Sequence, residues 1–329
     1  MRRRRSSASR RLALVASLLA VAAPAARSQS GTSGEGAPEL LLPTGGRGLG
    51  MGQAVVAMAI GAEAVWWNPA LITRAAREAA FHFSQTIATE GDYAASVLIP
   101  VHSIAAAAAI TARYIDYGPQ ESTGRTNPDE LGEFTTTSTI LGASFAATFG
   151  HRFAAGITYK VLQLRFPCTG VCLNTPGNSP PTSALDLGAQ FVLRKDTSLS
   201  LGAAIRNIGL RLQVQDAPQA DPLPSRIDIG AVFTPRIAQL PPDAKVRVGA
   251  DLVSRLTGWG PGYRAGAELS WQDRYQLRAG YVQFGPMGSN GSVGVGYSTR
   301  RFQLDFAQLI TDAASGTGSP SFFSARWLF

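Results

Sequence analysis

Cysteine and histidine are scarce in this chain of 329 residues: two cysteines and three histidines. The histidines, His82, His102 and His151, lie far apart in sequence, and the cysteines, Cys168 and Cys172, sit together as CTGVC. A structural zinc site takes four ligands, with cysteines typically spaced CxxC, so a Cys168–Cys172 disulfide is favoured over a metal centre. No G-x-S-x-G or H-E-x-x-H pattern occurs, which removes the commonest hydrolase and metalloprotease signatures. The glycine-rich GRGLGMG at Gly46 to Gly52 does not follow a strand in a βαβ pattern, so it fails the context test for a dinucleotide site. Neither a catalytic centre nor a bound cofactor is expected.

Charge is also sparse, at 16% of residues, and one sign of it is concentrated at the start. Arg2, Arg3, Arg4, Arg5, Arg10, Arg11 and Arg27 supply seven of the formal +8, so the remainder carries +1. With no basic run and no interleaved aromatics elsewhere, nucleic acid is not an expected partner. The first 28 residues read as a secretory signal peptide: a basic MRRRRSSASRR, an apolar stretch from Leu12 to Ala26, then small residues at Ala23, Ala25, Ala26 and Ser28. A membrane anchor is the alternative, but a spanning helix needs about 20 apolar residues, and Pro24 and Arg27 interrupt sooner. Export implies an oxidising compartment, consistent with a disulfide.

From Glu78 onward the text alternates. Leu199, Leu201, Ala203 and Ile205 alternate with Ser200, Gly202, Ala204 and Arg206; Tyr263, Ala265, Ala267 and Leu269 alternate with Arg264, Gly266, Glu268 and Ser270. Period two marks strands with one apolar and one polar face. The pattern predicts fourteen, at 78–87, 91–101, 103–115, 136–149, 152–165, 183–194, 198–208, 225–235, 244–255, 262–272, 274–284, 291–299, 301–311 and 321–329. About ten residues is the length of a tilted strand crossing a bilayer. The connections alternate too: tight turns such as VHS, GH, RKD, QD and TR, then long segments at 116–135, 166–182 and 209–224. RIAQLPPDA is longer than that rule predicts.

A soluble sandwich or lipocalin also alternates. Fourteen strands, however, enclose a lumen too wide for side chains to fill. Turning the apolar face to lipid and the charged face inward satisfies both, and closure pairs every backbone group. The expected fold is therefore an all-β transmembrane antiparallel barrel, with Arg226, Asp228, Arg247, Asp251, Arg264 and Glu268 facing the lumen as structural ion pairs. Tyr93 to Ala112 is long enough to pass for a membrane helix, but Pro100, His102 and Ser103 stand where a hairpin would turn. It is read as two strands.

The segment before the barrel, 29–77, holds Gly45, Gly46, Gly48, Gly50 and Gly52, a short helical stretch at Gln53 to Ile60, and a chain reversal at VWWNPALI. RGLGMGQAVVAMAIGAEAVWWNPALI resembles the N-terminal hatch of FadL/TodX-like outer-membrane proteins, in particular the PorV/PorQ branch. Later stretches fit as well, including ALDLGAQF, SLGAAIRNIGL, LPSRIDIGAVF and YQLRAGY. The resemblance implies a fourteen-stranded barrel at 78–329, plugged by a hatch at 29–77. The hatch residues are then Arg47, Gly50, Met51, Gly52, Trp66, Trp67, Asn68, Pro69 and Ala70, although an interfacial aromatic belt is a second place for one of the tryptophans. The final SFFSARWLF puts Phe323, Ala325, Trp327 and Phe329 on one face; the resemblance makes Trp327 and Phe329 the signal read by the barrel assembly machinery.

What the resemblance implies about function divides in two. The PorV/PorQ branch implies protein secretion or export, as a shuttle for secreted cargo proteins in a type IX-like system. FadL-like proteins imply passive uptake of hydrophobic small molecules. The long connection at 116–135 is polar, which favours secretion. Either way the expected location is the bacterial outer membrane, among its lipid and lipopolysaccharide, with both termini periplasmic.

Overall fold

The computed structural model describes residues 34–58, 60–86, 89–123, 130–172, 178–193, 198–213, 220–256, 261–283, 289–310 and 319–329. The expected signal peptide, 1–28, and the first hatch residues lie outside the described residues, as do 124–129, 173–177 and 214–219 of the long connections and the RKD turn.

Among the described residues there are fifteen strands: β1 (Glu78–Gln85), β2 (Gly91–Val101), β3 (Ala106–Thr123), β4 (Glu130–Phe149), β5 (Phe153–Arg165), β6 (Cys168–Gly170), β7 (Thr182–Val192), β8 (Leu199–Gly209), β9 (Arg226–Phe233), β10 (Ala244–Arg255), β11 (Gly262–Trp271), β12 (Tyr275–Gln283), β13 (Ser289–Ser298), β14 (Phe302–Ile310) and β15 (Ser321–Leu328). Fourteen form one antiparallel ring, because β1 pairs with β15 and every other barrel strand with its neighbours in sequence, β5 meeting β7. The fifteenth, β6, is a three-residue piece laid against the outer end of β4. Closure removes the free edges that a bilayer would leave unpaired.

Alternation sets the two faces. On β11, Gly262, Arg264, Gly266, Glu268 and Ser270 are buried while Tyr263, Ala265, Ala267, Leu269 and Trp271 are exposed. The same phase around the ring leaves Ile110, Leu141, Phe145, Leu277 and Val295 on the outside and charged groups within. This is the inside-out distribution of a membrane barrel. No helix among the described residues is long and apolar enough to cross a membrane; Tyr93 to Ala112 forms most of the hairpin of β2 and β3.

Three details differ from the sequence reading. Strand β3 begins at Ala106, after a 3-10 turn at His102–Ile104 closed by Ala105 at φ 50°. The polar connection at 116–135 is mostly ladder: β3 and β4 run on past a register shift at Asp116/Pro119 to pair Thr123 with Glu130. Among the described residues the expected helix at Gln53–Ile60 is absent. The helix of this segment is α1 (Gly46–Gly50), and Gly52 and Gln53, at φ 58° and 61°, end it. RIAQLPPDA remains a long connection, folded by turns from Ile237 to Leu240 and Pro241 to Ala244.

Candidate functional site

The segment from Gly34 to Ala75 threads the lumen from the long-connection mouth to the short-turn end. At the first, Gly36 N donates to Pro222 O at 3.0 Å and Arg255 reaches Glu35 at 3.4 Å. At the second, Phe329 N donates to Arg77 O at 3.1 Å, which brings the end of β15 to the start of β1.

Between these ends the wall holds the hatch chiefly by its main chain. Ser324 Oγ accepts from Gly46 N at 2.7 Å, Ser292 Oγ from Gly52 N at 3.2 Å, and Asp251 Oδ2 from Val56 N at 3.0 Å. Gln190 Nε2 donates to Ala57 O at 3.2 Å, Arg206 Nη1 to Trp66 O at 3.0 Å and Arg326 Nη1 to Ile60 O at 2.8 Å. These bonds explain the missing helix. Within 53–60, Val56 N, Ala57 O and Ile60 O are bonded to the barrel, while Ala54 N, Val55 N and Met58 N keep turn bonds inside the hatch, and buried backbone groups are satisfied by one route or the other.

VWWNPALI sits at the centre. Asn68 is fully buried; its Oδ1 accepts from Ala70 N at 3.0 Å, and its Nδ2 donates to Val56 O at 2.7 Å and to Ala189 O of the wall at 3.1 Å. It thus caps the 3-10 turn Pro69–Arg74, with Pro69 at the first position, where a missing N–H costs nothing. Trp67 Nε1 donates to Thr44 O at 3.1 Å, and the guanidinium carbons of Arg206 and Arg264 lie 5.7 and 6.0 Å from its ring centre, within cation–π range. Met51, Val55, Ile60, Ala64, Trp67 and Leu71 share one buried cluster, with Trp66 packed against it. Both tryptophans are therefore in the lumen, and neither belongs to a lipid-facing belt.

Close approach of hatch to wall requires wall residues without side chains. Inward positions Gly156, Gly188, Gly202, Gly249, Gly266 and Gly280 meet hatch backbone or the Asn68 side chain within van der Waals distance of a would-be Cβ. Gly156 faces Gly188 across β5 and β7, and Gly249, Gly266 and Gly280 face one another across β10, β11 and β12. Together they make a seat for the hatch. In the sequence they look like the weak polar members of each alternation, and only the enclosed segment reveals their purpose.

One ion-pair centre ties hatch to barrel through side chains. Arg47, on α1, donates from Nε and Nη2 to both oxygens of Glu268 at 3.0 and 2.9 Å. The same carboxylate accepts from Arg247 Nη1 at 2.7 Å and Arg278 Nε at 2.7 Å, and Arg278 Nη1 is 2.7 Å from Asp305. Glu63 of the hatch accepts from Gly48 N at 2.6 Å. Burial and the nearby Asp305 push its carboxyl up to about 7. Glu39, at the mouth, accepts from Ser138 Oγ at 3.0 Å and is also raised, through burial.

All six sequence-derived lumen residues point inward, but with partners other than their neighbours in the strand. Asp228 pairs with Arg206 at 2.8 Å and Arg264 at 3.6 Å, while Arg226 is buried at the start of β9. Asp251 serves the hatch, and Arg247 is partly exposed. Arg206, Arg278, Asp305, Glu63 and the pair Lys160–Asp186 at 2.8 Å were not singled out from sequence, though their inward phase was readable. Asn207 was hidden by a bulge: Arg206 and Asn207 both turn inward opposite Asp186. Gly50 packs with its Cα toward Arg278 and Gly294. Cys168 and Cys172 are bonded as a disulfide on the exposed β6 piece. Trp327 and Phe329 lie on the outer surface beside Phe302.

The lumen holds little free space. One cavity of about 30 Å³ lies between Leu40, Leu42, Trp66, Ile140, Lys160 and Arg206, room for no more than a water or two. A second, of about 200 Å³, is polar and lined by Arg47, Arg247, Glu268, Gln276 and Gln303. At the long-connection mouth the inner wall changes character: Ile140, Leu162, Leu164, Leu212 and Leu223 form an apolar patch filled by Ala37 and Leu40 of the hatch.

No protein-family model and no curated protein matches the chain. Solved structures do. The toluene transporter TbuX of Ralstonia pickettii aligns over 87% of this chain and 98% of its own, at 11% identity and TM-score 0.57. The P. putida toluene transporter TodX gives the same coverage, identity and TM-score, and a Pseudomonas aeruginosa FadL homologue aligns over 87% and 98%, at 12% identity and TM-score 0.54. At such identities the likeness is one of fold, and it spans nearly the whole of each neighbour. The chain has the fold of the FadL/TodX-like transport barrels.

Proposed function

We propose that the protein is an outer-membrane channel through which small apolar molecules pass, in a barrel whose resting lumen is closed by its own N-terminal segment. The apolar patch at the long-connection mouth carries this reading. Of the apolar stretches of the inner wall, this one lies at the long-connection mouth, and the hatch residue Leu40 occupies it. A hydrophobic solute would exchange one apolar occupant for another there, at about 25 cal/mol per Å² of surface removed from water. The full-length match to two toluene transporters supports the same choice. Outer-membrane location and periplasmic termini belong to this proposal, since both ends of the barrel chain meet at the short-turn rim.

The hatch motif itself supports a second reading, a PorV/PorQ-type accessory of protein secretion. Within the hatch it is carried by Arg47, Leu49 to Gly52 and Trp67 to Ala70, and the later stretches ALDLGAQF, SLGAAIRNIGL, LPSRIDIGAVF and YQLRAGY fit it as well. Purification from the native membrane in mild detergent, followed by mass spectrometry of everything retained, separates the two. Aromatic hydrocarbons or fatty acids near one per barrel, with no protein partner, support the channel. Secreted proteins sharing a common C-terminal domain, with no small apolar ligand, refute it in favour of the shuttle.

A further inference from the structure

Three short turns at one rim of the barrel repeat the same arrangement. Phe149 and Phe153 flank a turn holding Arg152; Trp271 and Tyr275 flank one holding Arg274; Tyr297 and Phe302 flank one holding Arg300 and Arg301. The flanking rings are all exposed on the outer face, and several touch: Phe149 to Phe153 at 5.9 Å, Trp271 to Tyr275 at 5.8 Å, Tyr275 to Tyr297 at 5.6 Å. Where the chain ends meet, Arg77 stands beside Phe329 in the same way. Amphipathic rings of this kind sit at the boundary between hydrocarbon and headgroups. The arginines, one or two residues further out, then lie at the depth of lipid phosphates.

These arginines are uncompensated. Arg77, Arg152, Arg274, Arg300 and Arg301 are exposed, and among the described residues none makes an ion pair. Among the described residues, the exposed acids of this rim are Asp243 and Asp273, and Asp273 is held by Lys245 at 2.7 Å. At the opposite rim, exposed Glu90, Glu121 and Glu133 stand near the strand ends together with exposed Arg165 and Arg211, so charge there is of mixed sign. Guanidinium groups bind phosphate oxygens bidentately, and a basic residue near an anionic leaflet is worth about a fivefold change in binding.

We propose that the short-turn rim is a binding ring for anionic phospholipid headgroups, gripped by Arg152, Arg274, Arg300, Arg301 and Arg77 while the adjoining aromatic rings sit among the acyl chains. This rests on the reading of the barrel as membrane-embedded, though not on which solute it passes. The ring would orient the barrel, placing the basic end on the leaflet that offers phosphatidylglycerol-like lipid.

Tryptophan quenching tests it on the full mature protein in phosphatidylcholine vesicles carrying either brominated phosphatidylglycerol or brominated phosphatidylcholine. Trp271 and Trp327 are outward at this rim, while Trp66 and Trp67 are enclosed in the lumen; a Trp259→Phe background removes the remaining tryptophan. Phosphatidylglycerol should displace phosphatidylcholine from the rim with about fivefold preference, lost in 0.5 M salt and lost in a combined Arg152→Gln, Arg274→Gln, Arg300→Gln, Arg301→Gln variant. Equal quenching by the two lipids overturns the proposal, as does a preference that survives in a folded variant. If the variant does not fold, the salt titration of the wild-type protein decides. Quenching by neither lipid refutes the membrane-embedded reading itself.

Discussion

Adding one methyl group to the wall should unseat the hatch. At Gly156 a Cβ would stand 2.6 Å from the carbonyl carbon of Pro69, 2.7 Å from Ala70 N and 2.8 Å from Pro69 O. Ordinary contact begins at 3.4 Å, so the Asn68–Pro69–Ala70 turn has to retreat by about 0.8 Å, and it cannot yield by rotating a side chain because the atoms it meets are backbone. Overpacking of this kind costs about 1–3 kcal/mol. In the strand itself the same Gly156→Ala change is favourable by roughly 0.5–1 kcal/mol, since alanine loses less backbone freedom. The two terms have opposite signs and act on different parts of the molecule. The loss of about 1–3 kcal/mol falls on the seated hatch alone and corresponds to a rise of about 5- to 150-fold in its unseated population. Hydrogen exchange should show it as faster exchange of the Ala70 and Leu71 amides with β5 unchanged, and planar-bilayer recordings as more frequent openings. Gly291→Ala is the control, because a Cβ there meets only the Ile310 side chain at 3.5 Å; it should leave the hatch untouched and raise barrel stability slightly. If Gly156→Ala behaves like Gly291→Ala, the glycine seat is not what holds the hatch.

Three further outcomes are expected. Protonated Glu63 is the form that suits the folded hatch, so its contribution is complete below about 4.5 and lost as pH rises through about 7; hatch stability followed by proteolysis should fall by on the order of 3 kcal/mol across that window, and Glu63→Gln should flatten the slope. Arg47→Ala removes both bonds to Glu268 but leaves Arg247 and Arg278 on that carboxylate, so the loss should lie below the 3–5 kcal/mol of a fully orphaned buried charge; bilayer recordings should show more openings, and Arg47→Lys should not restore closure because an ammonium cannot reproduce the two parallel bonds. Cys168 and Cys172 should be inert to a thiol reagent until reduced, and replacing both with serine should cost about 2 kcal/mol of local stability at β6, as expected for so short a loop, with conductance unchanged.

Much of the fold was legible because period two and face chemistry are local properties. Each strand announces its lipid face by Val, Leu, Phe and Tyr and its lumen face by charge, and counting strands then forces a wide closed barrel. The hatch was legible as a motif, because Asn68–Pro69 is a cap and turn that needs no knowledge of its surroundings. Its conformation was not legible. Gln53–Ile60 is apolar enough for a helix, yet the barrel supplies Asp251 and Gln190 as partners for its backbone from up to about two hundred positions away, and Asn68 of the hatch itself supplies a third.

The sequence by itself determined the strands, their facing and the disulfide candidate, since these depend on residues within a few positions of one another. Tertiary structure decided which charges pair, why six inward glycines are needed, and that the apolar mouth is filled by Leu40. Those are matters of distance between strands far apart in the chain. A side chain four residues along the same strand is farther away than one across the ladder or on the enclosed hatch, so Glu268 pairs with Arg47, Arg247 and Arg278 and not with Arg264.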